Sequence, residues 1–197
     1  MKKKNFSQVY QFKITLKGSK PPIWRRIQVP ETYTFWDLHV AIQDAMGWSF
    51  SHLHEFEAID PLTGSVVSIG TPHKDYWKEV LPEWKVKIAD YFSMKNRSVD
   101  YVYDFGDNWV HKVELEKILP AEEGINYPIC VKGKRACPPE DCGGIWGYEE
   151  LLEILKNPNH EEYEETLEWL GKDFDPEHFD PKKVKFHNPD KLRKEIE

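Results

Sequence analysis

Val99-Asp100-Tyr101-Val102-Tyr103-Asp104-Phe105-Gly106-Asp107-Asn108-Trp109-Val110-His111-Lys112-Val113-Glu114-Leu115-Glu116 reads as two strands meeting at a tight turn. Tyr101, Tyr103 and Phe105 alternate on one side. Gly106-Asp107-Asn108 supplies residues that tolerate a positive φ, and Trp109, His111, Val113 and Leu115 alternate on the return. The same turn draws Asp104, Asp107 and His111 toward one another. No other stretch mixes core-type and ionisable residues so densely.

Working outward, residues 9–17 alternate, with Tyr10, Phe12, Ile14 and Leu16 on one face, as a half-buried strand does. Residues 18–22 form a turn, and 23–29 a second strand with Ile23, Arg25, Ile27 and Val29 on one face. An arginine among aliphatic residues suits a structural ion pair at a sheet edge, or an anion-binding group. Thr34 opens a helix with Asp37 at the capping-box distance, and Phe35, Leu38, Ile42, Ala45 and Met46 make its apolar stripe. Gly47 is placed as its left-handed C-terminal residue, with Trp48 beyond. Residues 51–59 return to a strand, 60–64 turn, and 65–69 pair back. A loop over 70–83, a short strand over 84–88 and a helical turn over 89–94 lead to the hairpin.

After the hairpin, residues 120–142 read as irregular, with four prolines and all three cysteines. Helices are expected over 148–156, with Glu149 and Glu150 in the first turn, and over 160–170, followed by a short charged terminal helix. Strands joined by hairpin turns, one helix after the first hairpin and helices grouped at the C-terminal end predict an α+β fold with a largely antiparallel sheet. Residues 1–8 are expected as a disordered basic lead-in, 9–185 as a single α+β domain and 186–197 as a charged terminal extension.

The chain has 197 residues, 40% of them apolar, and 8 Trp, 9 Tyr and 10 Phe, enough to build a core. No apolar run is long enough for a membrane span, and no apolar segment follows the basic start as in a secretory signal. Sparse, odd-numbered cysteines point to a reducing cytoplasm rather than a disulfide framework. Net charge is −7, unevenly spread: residues 1–30 hold 8 Lys/Arg and no Asp/Glu, while residues 138–180 hold 14 Asp/Glu and 2 Lys/Arg. That balance argues against broad nucleic-acid binding. It leaves a solvated acidic face, a basic arm that touches phosphate, or an acidic patch that meets a basic protein partner.

Several constellations are candidates for chemistry. His52 and His54, two residues apart on the expected strand, would share a face, with Glu55 and Glu57 on the other. With His111 as a third ligand and Asp104 or Asp107 supplying a carboxylate, they would suit Zn²⁺, Mn²⁺ or Fe²⁺ and metal-activated hydrolysis. The alternative makes Asp107 and Asn108 turn formers, His111 a hydrogen-bonded core histidine and Asp104 the partner of Arg25. Cys130, Cys137 and Cys142 could staple a structural zinc, though they lack the tight spacing of zinc ribbons. Pro138-Pro139-Glu140-Asp141-Cys142-Gly143-Gly144 could cradle an anion on exposed backbone N–H groups, or let the glycines pack closely while an acid caps nearby amides. Trp109 and other tryptophans could line a groove that stacks a base or grips a peptide. Binding candidates are therefore Arg25, Trp109, Glu140, Asp141, Gly143 and Gly144.

Four stretches taken together resemble a known family: Lys20-Pro-Pro-Ile-Trp-Arg-Arg-Ile, Met46-Gly-Trp-Ser-Phe-Ser-His-Leu-His-Glu-Phe, Tyr103-Asp-Phe-Gly-Asp-Asn-Trp-Val-His, and Pro138-Pro-Glu-Asp-Cys-Gly-Gly with Gly147-Tyr-Glu-Glu. The chain resembles, over roughly residues 8–185, the uncharacterised plasmid pRi ORF-three-like family. The resemblance implies a single α+β domain without an established activity. Some relatives are labelled transposon resolvases, but neither an activated Ser among arginines nor a Tyr within an Arg/His cluster is visible here. Three readings stand in this order: a non-catalytic binding or accessory module associated with mobile elements or regulation, a metal-dependent hydrolase built on the His/Asp cluster, and a zinc-stapled structural domain.

Overall fold

The computed structural model describes residues 5–73, 78–171 and 173–196. The expected hairpin is the middle of one large sheet. Its strands, in chain order, are β1 (Gln8–Leu16), β2 (Trp24–Pro30), β3 (His54–Ile59), β4 (Val66–Gly70), β5 (Val80–Pro82), β6 (Ser98–Tyr103), β7 (Trp109–Pro120) and β8 (Ile129–Lys134). They lie in the spatial order β5-β4-β3-β6-β7-β1-β2-β8, and each pair is antiparallel except β4 with β5. The helices are α1 (Phe35–Met46), α2 (Ile88–Tyr91), α3 (Gly144–Lys156), α4 (Tyr163–Leu170) and α5 (Pro189–Ile196). The expected α+β class, largely antiparallel with helices toward the C-terminal end, is the observed one.

Local chemistry sets α1. Thr34 accepts from the Asp37 amide while the Asp37 carboxylate accepts from the Thr34 amide, closing the capping box. Gly47 ends the helix at φ +107°, where a Cβ would be strained. The helix buries nearly all its length, reaching across the sheet to both β2 and β4. The core beneath it is aromatic: Phe35 meets Phe56 edge-on at 5.0 Å and Phe12 meets Phe92 at 4.7 Å.

Several expectations need correction. Residues 84–87 form a turn, a bend and an isolated bridge, Ile88 already opens α2, and the strand in this region is β5, three residues long and too short to show a period. The irregular stretch contains β8, whose half-exposed residues pair with β2 at the sheet edge. Gly133 interrupts its pattern because Phe179 and the Trp24 carbonyl occupy the space of a Cβ. Phe105 does not follow Tyr101 and Tyr103 inward. It sits in the turn, half exposed, and the left-handed residues there are Asp104 and Asn108 rather than Gly106 or Asp107. Helix α3 begins at Gly144, which moves Glu149 and Glu150 out of its first turn. Of the expected lead-in, residues 1–4 lie outside the described residues, while Gln8 belongs to β1 and the Ser7 carbonyl accepts from Ala121. Residues 74–77 of the expected loop and residue 172 also lie outside.

Arg25 is the largest correction. It is fully buried on β2, an interior strand between β1 and β8, and it pairs with no carboxylate. Its Nε donates to the Ala45 carbonyl at 2.8 Å, and its Nη1 donates to the carbonyls of Trp24 and Lys134. Phe179 covers the guanidinium at 3.7 Å. Neither an edge ion pair nor a ligand-facing cation describes it, and it does not reach Asp104. It ties the end of α1, β8 and the C-terminal segment together. We expect Arg25→Leu, which strands those carbonyls in the core, to lower stability by about 3 kcal/mol, measured as a shift in urea midpoint at unchanged slope.

Candidate functional site

The motif stretches around residues 48–53, 103–108 and 138–144 meet at one end of the sheet. Glu140 fastens them. Its Oε1 accepts from the Ser49 amide at 2.8 Å, the Ser49 hydroxyl at 2.9 Å and the Tyr103 hydroxyl at 3.0 Å. The Ser51 amide donates to the same tyrosine oxygen. Burial and the neighbouring Glu140 carboxylate hold the Tyr103 phenol well above its usual range, so it stays a protonated donor. On the other flank the Gly143 amide donates to Asp107 Oδ2 at 3.2 Å. Gly144 lies against the Asp107 carbonyl, which occupies the space of a Cβ.

His52 lies in the loop before β3, in the middle of this junction. Its Nδ1 is 3.7 Å from Asp104 Oδ2, and its Nε2 is 3.1 Å from Asp141 Oδ1 and 3.8 Å from Glu140 Oε2. Yet Nε2 is buried and makes no hydrogen bond, its approach to Asp141 being an ion-pair contact only. Asp104 Oδ1 accepts from the Gly106 amide, leaving Oδ2 toward His52. Asp104 and Asp141 both have positive φ, +57° and +56°. Such backbone costs on the order of 1 kcal/mol for a non-glycine residue and is concentrated at functional positions. One ligand-type atom from each of His52, Asp104 and Asp141 falls within 4.8 Å of the others, and among the described residues this is the group that could hold a metal ion.

The expected His52–His54–His111 set is not brought together. β3 begins at His54, so the two-residue alternation does not extend back to His52. His54 is buried, stacked on His39 at 3.4 Å, and its Nε2 donates to Glu83 Oε2 at 2.7 Å. His111 pairs opposite Tyr101, fully buried, its Nδ1 donating to the Tyr101 carbonyl. Asp107 serves Gly143 rather than His111. Glu55 and Glu57 also part company: Glu55 is buried against Ser68 and Lys78, and Glu57 is exposed.

The remaining candidates divide in the same way. Gly143 and Gly144 do not form an empty anion cradle, because the carboxylate that Gly143 serves is the chain's own Asp107. Trp109 is fully buried beside Trp48, so it lines no open groove. Cys130, Cys137 and Cys142 do not form a metal-ligand group among the described residues. Burial pushes the Cys130 thiol up to about 11 and the Cys142 thiol up to about 12, and raises Cys137 as well. Sequence reasoning found His52, Asp104 and Asp141 separately but missed their meeting. It also missed the fastening by Glu140 and the buried chain in which Gln43 donates to the Tyr101 hydroxyl and that hydroxyl pairs with His39 Nδ1.

Residues 8–183 match the description of the plasmid pRiA4b ORF-3-like proteins. The chain belongs to this family. The matched segment contains every residue of the junction. Uncharacterized protein y4hQ of Sinorhizobium fredii is 38% identical over 166 residues, 84% of this chain and 82% of that protein. The crystal structure of a protein of unknown function, MM3350 from Methanosarcina mazei Go1, is similar with a TM-score of 0.88 and 58% identity. It covers 92% of this chain and 100% of that one. Among the described residues, no helix of this family member is long and apolar enough to cross a membrane.

Burial also sets a pH response. It holds His111 down at about 4 and His39 well below its usual value, so both are neutral in the fold. The unfolded chain takes up these protons first, near pH ~6.5. Stability is therefore complete above that pH and falls as pH drops toward about 4, with His111 alone accounting for about 3 kcal/mol. Urea titrations between these limits are expected to show the loss, with a shallower slope for His111→Gln. Gly144→Ala, strained at φ +69° and driven into the Asp107 carbonyl, is expected to cost on the order of 2 kcal/mol or more by the same measurement.

Proposed function

We propose that this protein is a divalent-cation-binding module, with His52, Asp104 and Asp141 as its ligands. The observation that carries the reading is the buried His52 Nε2, which makes no hydrogen bond although the Asp141 and Glu140 carboxylates approach it, while Asp104 approaches the ring's other nitrogen. A buried polar atom in that state is costly unless something takes its lone pair or its proton. One imidazole with two carboxylates suits Zn²⁺, Mn²⁺ or Fe²⁺. Three protein ligands leave coordination positions open, so a bound cation would present a docking point for an anionic group on a ligand or partner. A second reading uses those open positions for water, giving metal-assisted hydrolysis. It has the open coordination in its favour, and no acid–base partner as clear as the ligand set.

A non-catalytic role fits the way Glu140, Asp104 and Asp107 spend their oxygens on local backbone. The plasmid in the family's name supports a link to mobile elements, and the free cysteines suit a reducing compartment such as the cytoplasm.

Metal content of protein purified without chelator or His-tag, followed by calorimetric titration with Zn²⁺, Mn²⁺ and Fe²⁺, tests the reading. We expect about one ion per chain. His52→Ala and Asp104→Asn are each expected to weaken binding at least tenfold, about 1.4 kcal/mol, while Cys137→Ala leaves it intact. Absence of binding after supplementation with all three ions sinks both readings. A metal-loaded protein that turns over ester or phosphoester substrates only with His52 present would favour hydrolysis.

A further inference from the structure

Helix α4 buries none of its own residues, and Trp169 on it is half exposed. Two open cavities share this tryptophan. One, about 350 Å³, lies between α3 and α4 with Leu151 and Ile154 as its floor and Glu150, Glu162 and Glu165 around it. The other, about 440 Å³, runs from Trp169 past Leu170 and Phe174 to Glu140 and Asp141. Among the described residues no Lys, Arg or His lines either cavity. Among the described residues the carboxylates of Glu150, Glu162 and Glu165 have neither a hydrogen-bond nor an ion-pair partner.

We infer that the paired cavities on either side of Trp169 dock a basic segment of a partner protein, with a long cationic side chain entering the one between α3 and α4. The charge is complementary in a specific way. The cavity between α3 and α4 combines an apolar floor, which suits the methylene stem of Lys or Arg, with the carboxylates of Glu150, Glu162 and Glu165 for its head, while the second is mainly apolar, with the already engaged Glu140 and Asp141 at its far end. The exposed indole between them offers a face on which a guanidinium stacks. Alternate residues of an extended peptide project to the same side about 7 Å apart, so a second side chain can reach the neighbouring cavity across the shared Trp169. The same carboxylates repel phosphate, so nucleic acid and anionic membranes do not fit this face. Only the second cavity borders the candidate cation site, through Asp141, so the cavity between α3 and α4 can be tested independently of metal.

The test is fluorescence anisotropy at physiological salt with a labelled hexapeptide carrying two arginines at alternate positions. Its two-glutamine counterpart and a linear tetra-amine competitor serve as controls. The arginine peptide is expected to bind and the glutamine peptide not to. Trp169→Ala and the double variant Glu162→Gln/Glu165→Gln are each expected to weaken binding at least tenfold. Glu122→Gln/Glu123→Gln, on the β7–β8 connection, removes the same charge and is expected to leave it unchanged. Binding through α4 is expected to persist in chelator, so a failed metal reading would not erase it. Equal losses in both glutamate double variants would reduce the effect to net charge and overturn the inference. So would failure of the arginine peptide to bind, or tryptophan-dependent binding of the tetra-amine alone.

Discussion

The contact between the hairpin turn and the loop that opens α3 is the constraint on which the candidate centre depends. Gly144 comes so near the Asp107 carbonyl that no side chain fits between them, and the Gly143 amide locks the approach by donating to the Asp107 carboxylate. Glu140, three residues earlier, can then gather Ser49 and Tyr103. Those hydrogen bonds hold the loop that carries His52. A short turn on the sheet thus positions two irregular segments, a proline-rich loop and a strand entrance, against each other. Functional side chains on loops gain their precision from this kind of scaffold.

Beneath the junction lies a second, largely buried polar layer. Gln43, Tyr101 and His39 form one hydrogen-bonded chain, while His54, Glu83 and Thr71 form another, and the stacked imidazoles of His39 and His54 join them. Gln43 Oε1 is left without a partner, but the remaining hydrogen bonds favour one arrangement of α1 over β3 and β6, because a slip strands further buried groups. Arg25 does the equivalent work at the C-terminal end of α1, where main-chain carbonyls replace a counter-ion. The C-terminal segment is tied down from the same helix. His187 binds Asp44 through both its amide and its ring, and Trp36 donates to the Pro189 carbonyl.

Much of the architecture was legible because it is written in local chemistry. The alternation in β1 and β7, the Thr34–Asp37 box and the glycine after α1 each lie within a few residues of what they control. β8 was not legible, since an edge strand needs no continuous apolar face and its Gly133 answers to Phe179 far along the chain. β5 is too short for any period to emerge. The histidines misled for a related reason. Residues two apart share a face only where a strand has begun, and the entrance to β3 falls between His52 and His54.

The sequence by itself determined an antiparallel α+β frame, a capped central helix, the family, and the residues among which a site had to be sought. Only the tertiary structure decided which of them meet. His52, Asp104 and Asp141 come from segments separated by dozens of residues, and their convergence depends on strand order and on a backbone approach that permits no Cβ. Side-chain periodicity carries information along one element. It carries none about which loop of a distant element will come to rest against it.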